Sequence, residues 1–142
     1  MDAAPENRPR LTLGRAKRLV RPADFARVYR RGNRAKGALM TVAVCPNDGG
    51  PTRLGLSIGK RVWKQAVRRN RVRRVFREAF RLAWPDLPPG VDVVVIGSVP
   101  RVEPRLSDAR PELVRLVRKA LARYEAKVAR EAADAPPPEA AP

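Results

Sequence analysis

Apolar residues follow two different spacings along this chain of 142 residues. Three segments have apolar residues every three or four positions, which is the spacing of one helix face: 22–32, 69–83 and 107–130. Three shorter segments have continuous or alternating apolar residues, which is typical of strands: 38–45, 53–58 and 91–97. Their order predicts an α+β sandwich, in which helices cover a small, mostly antiparallel sheet.

The residues between these segments predict how the strands pair. Residues 46–51, Pro-Asn-Asp-Gly-Gly-Pro, are a strong turn signal between the first two strands. We therefore expect those two strands to form a hairpin with a long loop. The third strand, 91–97, is rich in β-branched residues and almost continuously apolar, so we expect it to be a buried central strand.

Composition divides the chain into three parts. Residues 1–15 are predicted to be a flexible basic N-terminal arm, residues 16–129 the folded domain, and residues 130–142 a disordered tail rich in Ala, Pro and Glu. No apolar run approaches the roughly 20 residues needed to span a bilayer, and the N-terminus lacks the apolar segment of a signal peptide. We therefore expect a cytoplasmic protein with no membrane partner.

The segment 69–83 combines an apolar stripe with an almost purely cationic opposite face. The regular helix is expected to begin near Arg69, after a separate turn. Residues at i, i+3, i+4 and i+7 predict one buried face: Val72, Val75, Phe76, Ala79, Phe80 and Ala83. The opposite side is predicted to be exposed: Asn70, Arg73, Arg74, Arg77 and Arg81. Like charges at these spacings cost about 0.2–0.5 kcal/mol per pair, so we interpret this face as a contact for a polyanion.

The charge of the whole chain supports the same interpretation. The chain has 31 Lys and Arg residues against 14 Asp and Glu residues, a formal net charge of +17 and a pI near 11.6. Of the basic residues, 22 lie in the two windows 8–36 and 53–81, whose acidic residues are Asp24 and Glu78 alone. Nucleic acid is the expected partner because phosphate binding by Lys and Arg releases counterions. An anionic membrane surface is the weaker alternative.

The side chains offer little chemistry of their own. The chain has no histidine, which excludes Ser-His-Asp and Cys-His arrangements. It has one cysteine, Cys45, which we expect to be a small buried residue. A zinc site is close to excluded, and we predict no catalytic residue and no metal ligand on the polypeptide. Whether carboxylates form an outer-shell metal site near RNA stays an open question.

Two segments of the sequence resemble one known family. The first is Arg-Leu-Gly-Leu-Ser-Ile-Gly-Lys-Arg at 53–61, and the second is Ala-Val-Arg-Arg-Asn-Arg-Val-Arg-Arg-Val-Phe-Arg-Glu-Ala-Phe at 66–80. Together they resemble the signature of the bacterial ribonuclease P protein subunit. The likeness extends to Asp-Phe-Ala-Arg-Val-Tyr-Arg-Arg-Gly at 24–32 and to Asp-Val-Val-Val-Ile at 92–96, and it covers roughly residues 16–128.

The resemblance implies a fold and a mechanism. The family has a ribosomal-protein-S5-domain-2-like fold with a left-handed βαβ crossover, against the usual hand, and one more small strand than the three predicted above. Its members bind a large catalytic RNA and assist removal of 5′ leaders from precursor tRNA. The RNA holds the catalytic Mg²⁺, the protein is an accessory subunit of this endoribonuclease, and no protein partner is required.

The resemblance also implies roles for individual residues. Contacts to the catalytic RNA are expected from the basic helix and the turn before it: Lys60, Arg61, Lys64, Arg68, Arg69, Asn70, Arg71, Arg73, Arg74 and Arg77. Contacts to the leader are expected in a central cleft between the sheet and the first helix: Phe25, Tyr29, Lys36 and Ser57. From spacing alone, Phe25 and Tyr29 at i and i+4 are more typical of a core pair, whereas the resemblance assigns them to the cleft.

Some features depart from the family or leave alternatives. Ala43 occupies a position where some members carry a leader-contacting tyrosine, so the base preference of the leader stays open. The turn before Ala66 is one residue longer than in some members, and its Trp63 is interpreted as a packing residue. Basicity and small size fit a ribosomal component equally well, but the aromatic pair and the long Arg-Asn-Arg signature do not.

Overall fold

The three predicted helices are present in the computed structural model, which describes residues 14–136. They are α1 (Pro22–Arg31), α2 (Ala66–Ala83) and α3 (Leu106–Asp134). Two short 3₁₀ turns, Arg15–Lys17 and Trp84–Asp86, precede α1 and follow α2. None of the described helices is long and apolar enough to cross a bilayer.

Two helix boundaries differ from the prediction. The helix α2 begins at Ala66 rather than near Arg69, because backbone hydrogen bonds such as Arg69 N–H to Gln65 O (3.1 Å) extend it beyond its apolar stripe. The helix α3 continues to Asp134, so residues 130–134 of the expected tail are helical. Ala, Glu and Arg in this stretch are strong helix formers, and composition alone suggested disorder. Residues 1–13 of the expected arm and 137–142 of the tail lie outside the described residues.

The sheet has four strands, in the order β1-β2-β4-β3. They are β1 (Asn33–Lys36), β2 (Thr41–Pro46), β3 (Arg53–Ser57) and β4 (Val91–Ile96). The strand β1 is the additional small strand that the family resemblance implied. Strands β1 and β2 pair antiparallel, as do β2 and β4, whereas β3 and β4 pair parallel. The predicted mostly antiparallel α+β fold is therefore confirmed.

The predicted hairpin between β2 and β3 is wrong. The strand β4 lies between them, because its Val-rich sequence is buried on both faces and occupies the centre of the sheet. The turn at 46–51 instead takes the chain past the end of β4 to the edge of the sheet that β3 forms. The segments β3, α2 and β4 then form the expected βαβ unit; its left-handed crossover stays a prediction of the resemblance.

The sheet separates two apolar clusters. The larger cluster lies on the face covered by α2 and α3, and its largest fully buried side chains include Phe76, Phe80, Leu113 and Leu116. The smaller cluster lies on the face covered by α1, here called the α1 face: Leu19, Val28, Ala43, Cys45 and Val94. Cys45 is 2% exposed, as expected, and burial raises the pKa of its thiol.

A buried carboxylate on the α1 face connects four segments of the chain. Asp92 of β4 is fully buried and accepts hydrogen bonds from Arg53 Nε (2.8 Å) and Nη2 (2.7 Å) on β3. It also accepts from Asn47 Nδ2 (3.0 Å) in the turn and from Arg27 Nη2 on α1. Arg27 Nη1 donates further to Pro46 O (2.9 Å). The hydrogen bonds to Asp92 raise the pKa of Arg53.

A second carboxylate joins α3 to the β1–β2 hairpin. Glu112 is 9% exposed, and its two oxygens accept hydrogen bonds from the backbone N–H groups of Ala38 (3.1 Å) and Leu39 (2.8 Å). These donors lie in the tight turn between β1 and β2, where they have no strand partner. The carboxylate therefore compensates for backbone groups that the turn leaves unpaired.

Replacing Asp92 with Asn should destabilise the protein by about 3 kcal/mol, because the substitution removes the buried counter-charge that Arg27 and Arg53 share. Arg53 then retains only the more distant carboxylate of Asp24 (3.8 Å). The measurement is the free energy of unfolding from urea titration. Asp48→Asn is the matched control, since Asp48 is exposed in the turn at 46–51 and should lose much less stability. An equal loss in both variants would show that the Asp92 network contributes no more than a surface charge.

Candidate nucleic-acid interface

The basic face of α2 is exposed over most of its length. Asn70, Arg74 and Arg77 are exposed, as the helical spacing predicted, and Arg71 beside them is exposed too. Arg73 and Arg81 are only half-buried rather than fully exposed. The guanidinium of Arg81 donates hydrogen bonds to Glu78, which lower the pKa of that carboxyl.

Two arginines of α2 contact the turn that precedes it, residues 59–65, or the residue just before that turn. Arg69 Nη1 donates to Trp63 O (2.8 Å) and to Lys64 O (2.7 Å). Arg73 Nη2 donates to Ile58 O (2.9 Å) at the end of β3. Both side chains therefore satisfy carbonyl groups of this chain, and part of their role is to position the 59–65 turn beside the helix.

A basic cavity of about 890 Å³ opens between this turn and the loop at 97–105. Its basic lining residues are Lys60, Arg61, Lys64, Arg68 and Arg101. No acidic residue is among its lining residues, which otherwise are Val62, Trp63, Gln65 and Pro100. The first turn of α2 lies at the same place, so its unpaired amide groups add partial positive charge. This combination attracts phosphate groups.

The side chain of Arg68 is well oriented in this cavity. Its Nε donates to Gln65 Oε1 (2.8 Å), and its guanidinium stacks over the ring of Trp63 at 4.7 Å from the centroid. The Trp63 indole N–H donates to Val102 O (3.1 Å). Trp63 therefore packs within the turn, as interpreted from the sequence, and it also supports a predicted RNA-contacting arginine.

The sheet brings the four predicted leader residues onto one face. Strand register places Arg34, Ala43, Val94 and Gly55 in one row across the α1 face. The Phe25 ring lies so close to Gly55 that a Cβ there would come within 2.7 Å of it. The ring of Tyr29 lies 5.3 Å from the guanidinium carbon of Arg34. The two aromatics therefore lie near opposite ends of this row.

The neighbouring row lies on the same face of the sheet and is called a floor here for its position beside α1. Register places Lys36, Thr41, Ile96 and Ser57 side by side, beyond the row that α1 covers. Lys36 is exposed, and Ile96 and Ser57 are half-buried. Lys36 and Ser57 lie at opposite edges, three strand spacings or about 14 Å apart. We call this floor, with Phe25 and Tyr29 as its wall, the α1 groove.

The two aromatics differ in environment. Phe25 is half-buried and packs against the smaller apolar cluster, so the spacing-based expectation of a core residue holds in part. Tyr29 is 37% exposed and is a poor candidate for the core. Tyr29 is therefore the more exposed of the two aromatic residues.

A small cavity connects the basic face of α2 with Phe25. It has a volume of about 240 Å³ and includes Arg18, Phe25, Arg73 and Arg77 among its lining residues. Arg18 was missed at the sequence level, because only its pairing with Leu54 as an isolated bridge places it beside β3. Arg101 was also missed, since it lies in an irregular loop without a recognisable spacing.

The described residues offer no evident metal site. Between residues 14 and 136, no group of three or more Asp, Glu or Cys side chains lies close enough together to bind a metal ion.

Comparison with known proteins identifies the family. The sequence model of the ribonuclease P family matches residues 13–127. The ribonuclease P protein component of Chloroflexus aggregans is 41% identical over 109 residues, which are 76% of this chain and 80% of that relative.

Solved structures agree as well. The ribonuclease P protein of Staphylococcus aureus superimposes with a TM-score of 0.63 at 28% identity, covering 75% of this chain and 96% of that one. The protein from Thermotoga maritima gives a TM-score of 0.63 at 28% identity, covering 72% and 96%. Sequence signature, fold and relatives thus agree, and the chain belongs to the family of ribonuclease P protein components.

Proposed function

We propose that this protein binds the catalytic RNA of ribonuclease P through α2 and the 59–65 turn, and binds the 5′ leader of precursor tRNA in the α1 groove. In this role it assists RNA-catalysed cleavage of the leader. The observation that carries the proposal is the continuity of the two surfaces: Arg73 and Arg77 of α2 share a cavity with Phe25 of α1. One RNA assembly can therefore contact both.

The proposed contact to the catalytic RNA depends on charge density. Arg71, Arg74 and Arg77 are exposed on α2, while the basic cavity adds four predicted residues, Lys60, Arg61, Lys64 and Arg68. Arginine suits this contact because its planar group donates two parallel hydrogen bonds to a phosphate. Arg18 and Arg101 extend the same surface and are added to the proposed RNA-contacting residues.

The proposed leader contact depends on stacking rather than on base-specific hydrogen bonds. An exposed Tyr29 beside Arg34, and the accessible part of Phe25, present aromatic and guanidinium planes to a single strand. Such planes accept any base, which suits leaders of variable sequence. Lys36 at one edge of the groove contributes positive charge for a phosphate, and Ser57 at the other edge contributes a hydroxyl.

We assign no chemical step to the polypeptide. Its described residues lack both a histidine-based nucleophile arrangement and a cluster of metal ligands. As the family resemblance implies, the Mg²⁺ that would supply the chemistry of phosphodiester hydrolysis is assigned to the RNA. The protein contributes positive charge and an aligned leader, both of which favour the complex in which the RNA reacts.

The proposal is tested by reconstituting the full-length protein with the catalytic RNA of ribonuclease P and a precursor tRNA at low Mg²⁺ concentration. We expect leader cleavage to be faster with the protein than with the RNA alone, because protein cations replace part of the Mg²⁺ that screens the phosphates. An unchanged cleavage rate, with RNA binding intact, would instead favour a ribosomal or other non-enzymatic RNA-binding role.

Replacing both Arg71 and Arg74 with Ala should weaken binding of the catalytic RNA without loss of stability, since both side chains are exposed. Each lost phosphate contact should reduce the slope of log K against log salt by about one. The measurement is RNA affinity over a series of salt concentrations. Arg110→Ala with Lys119→Ala on the exposed side of α3 is the matched control. An equal loss of affinity in the two double variants would show that net charge alone determines binding.

Replacing Tyr29 with Ala should weaken binding of precursor tRNA by the reconstituted holoenzyme, with little change for mature tRNA, because only the precursor carries a leader. Loss of one stacked base costs about 1–3 kcal/mol. Phe25→Leu, which preserves apolar packing on Gly55 but removes the ring, tests the second position. If precursor and mature tRNA were weakened equally, the α1 groove would not be the leader site.

A further inference from the structure

One acidic residue contacts the basic N-terminal end of α2. Glu103 Oε1 lies 2.8 Å from Arg68 Nη1 and 3.9 Å from Arg71 Nη1. Its side chain is 47% exposed, so solvent and solutes reach it. An acid in contact with two arginines that are proposed to bind RNA opposes that binding, because its charge repels phosphate.

The backbone around Glu103 is fixed by contacts to the 59–65 turn. Arg101 N–H donates to Val62 O (2.8 Å), and Trp63 Nε1 donates to Val102 O (3.1 Å). Pro104, on the other side of Glu103, is buried. Arg101 has a φ of 58°, an unfavourable conformation for a residue with a side chain, so these contacts maintain a loop path that is costly by itself. The folded backbone therefore determines where Glu103 lies.

Glu103 occupies the one contact of Arg68 that a phosphate would take over. Arg68 Nε donates to Gln65, and one face of its guanidinium stacks on Trp63. Both contacts orient the side chain and remain possible when RNA is bound. A further partner of Arg68 is the Glu103 carboxylate, an anion that accepts a hydrogen bond from Nη1 as a phosphate oxygen does.

We infer that the Glu103 carboxylate occupies the position of an RNA phosphate. It pairs with Arg68 and Arg71 in the free protein, and a phosphate of the catalytic RNA displaces it on binding. This inference rests on the proposed function. In the free protein the carboxylate reduces repulsion between the two arginines and keeps Arg68 oriented. On binding, the same ion pair must be broken, so Glu103 lowers RNA affinity. The free energy needed to break this ion pair is too small to prevent a tight complex. It does reduce the fraction of protein that is bound to weakly binding RNAs.

The test is the affinity of full-length Glu103→Gln protein for the catalytic RNA of ribonuclease P across a series of monovalent salt concentrations. We expect binding to tighten roughly two- to fivefold at low salt, the range that corresponds to one exposed ion pair. The slope of log K against log salt should become steeper by up to about one, because the interface gains one net positive charge. In an Arg68→Ala, Arg71→Ala background, the gain in affinity from Glu103→Gln should be clearly smaller, because no ion pair remains to be broken there.

The matched control is Glu125→Gln, which removes the same charge from an exposed position on α3. Thermal unfolding of each variant verifies that the fold is retained. Unchanged or weaker binding by Glu103→Gln would overturn the inference, as would an equal gain in Glu125→Gln or a gain that is undiminished without Arg68 and Arg71. Wild-type protein that does not bind the catalytic RNA would refute the proposed function itself, a result distinct from all of these.

Discussion

The buried carboxylate of Asp92 determines where α1 lies on the sheet. A carboxylate without solvent requires partners, since an unpaired buried charge costs several kcal/mol. Here Arg53 supplies two parallel hydrogen bonds from β3, and Arg27 reaches it from α1. The helix is consequently connected both to the central strand and to the edge strand. The apolar contacts of Val28 with the smaller cluster add burial but less directional constraint.

The position of α1 in turn creates the α1 groove. Because Arg27 contacts the row of Asp92, Phe25 lies on the next row at Gly55, where the absence of a side chain leaves room for its ring. Tyr29, one helical turn further, lies at the Arg34 end of that row. In the next row, Lys36 is exposed and Ser57 is half-buried. An ion pair at one end of the sheet thus determines which strand residues stay accessible at the other end.

The features of the fold that the sequence predicted are those that depend on residues close together in the chain. The apolar stripe of α2 and the C-terminal limit of α1 before Gly32 are local properties, and both were predicted correctly. The β2–β3 hairpin was wrong because a turn signal at 46–51 indicates where the chain bends but not which strand it pairs with. Asp92 looked like an interruption of an apolar run, since its partners Arg27 and Arg53 lie 65 and 39 residues away. Glu112 and the β1–β2 turn are separated by a similar distance.

The arginines of α2 show why the candidate site needed side-chain geometry. A helical projection treats Arg69, Arg71, Arg73 and Arg74 as equivalent cations, differing only in angle. In the structure, Arg69 donates to carbonyl groups of the turn and Arg73 donates to the carbonyl group of Ile58, which follows β3, whereas Arg71 and Arg74 are exposed. A cation that already satisfies a carbonyl still contributes its charge, because a neutral acceptor does not cancel it. The inner arginines therefore combine two roles: they order the basic cavity and maintain its positive potential, while the outer arginines remain accessible to phosphates.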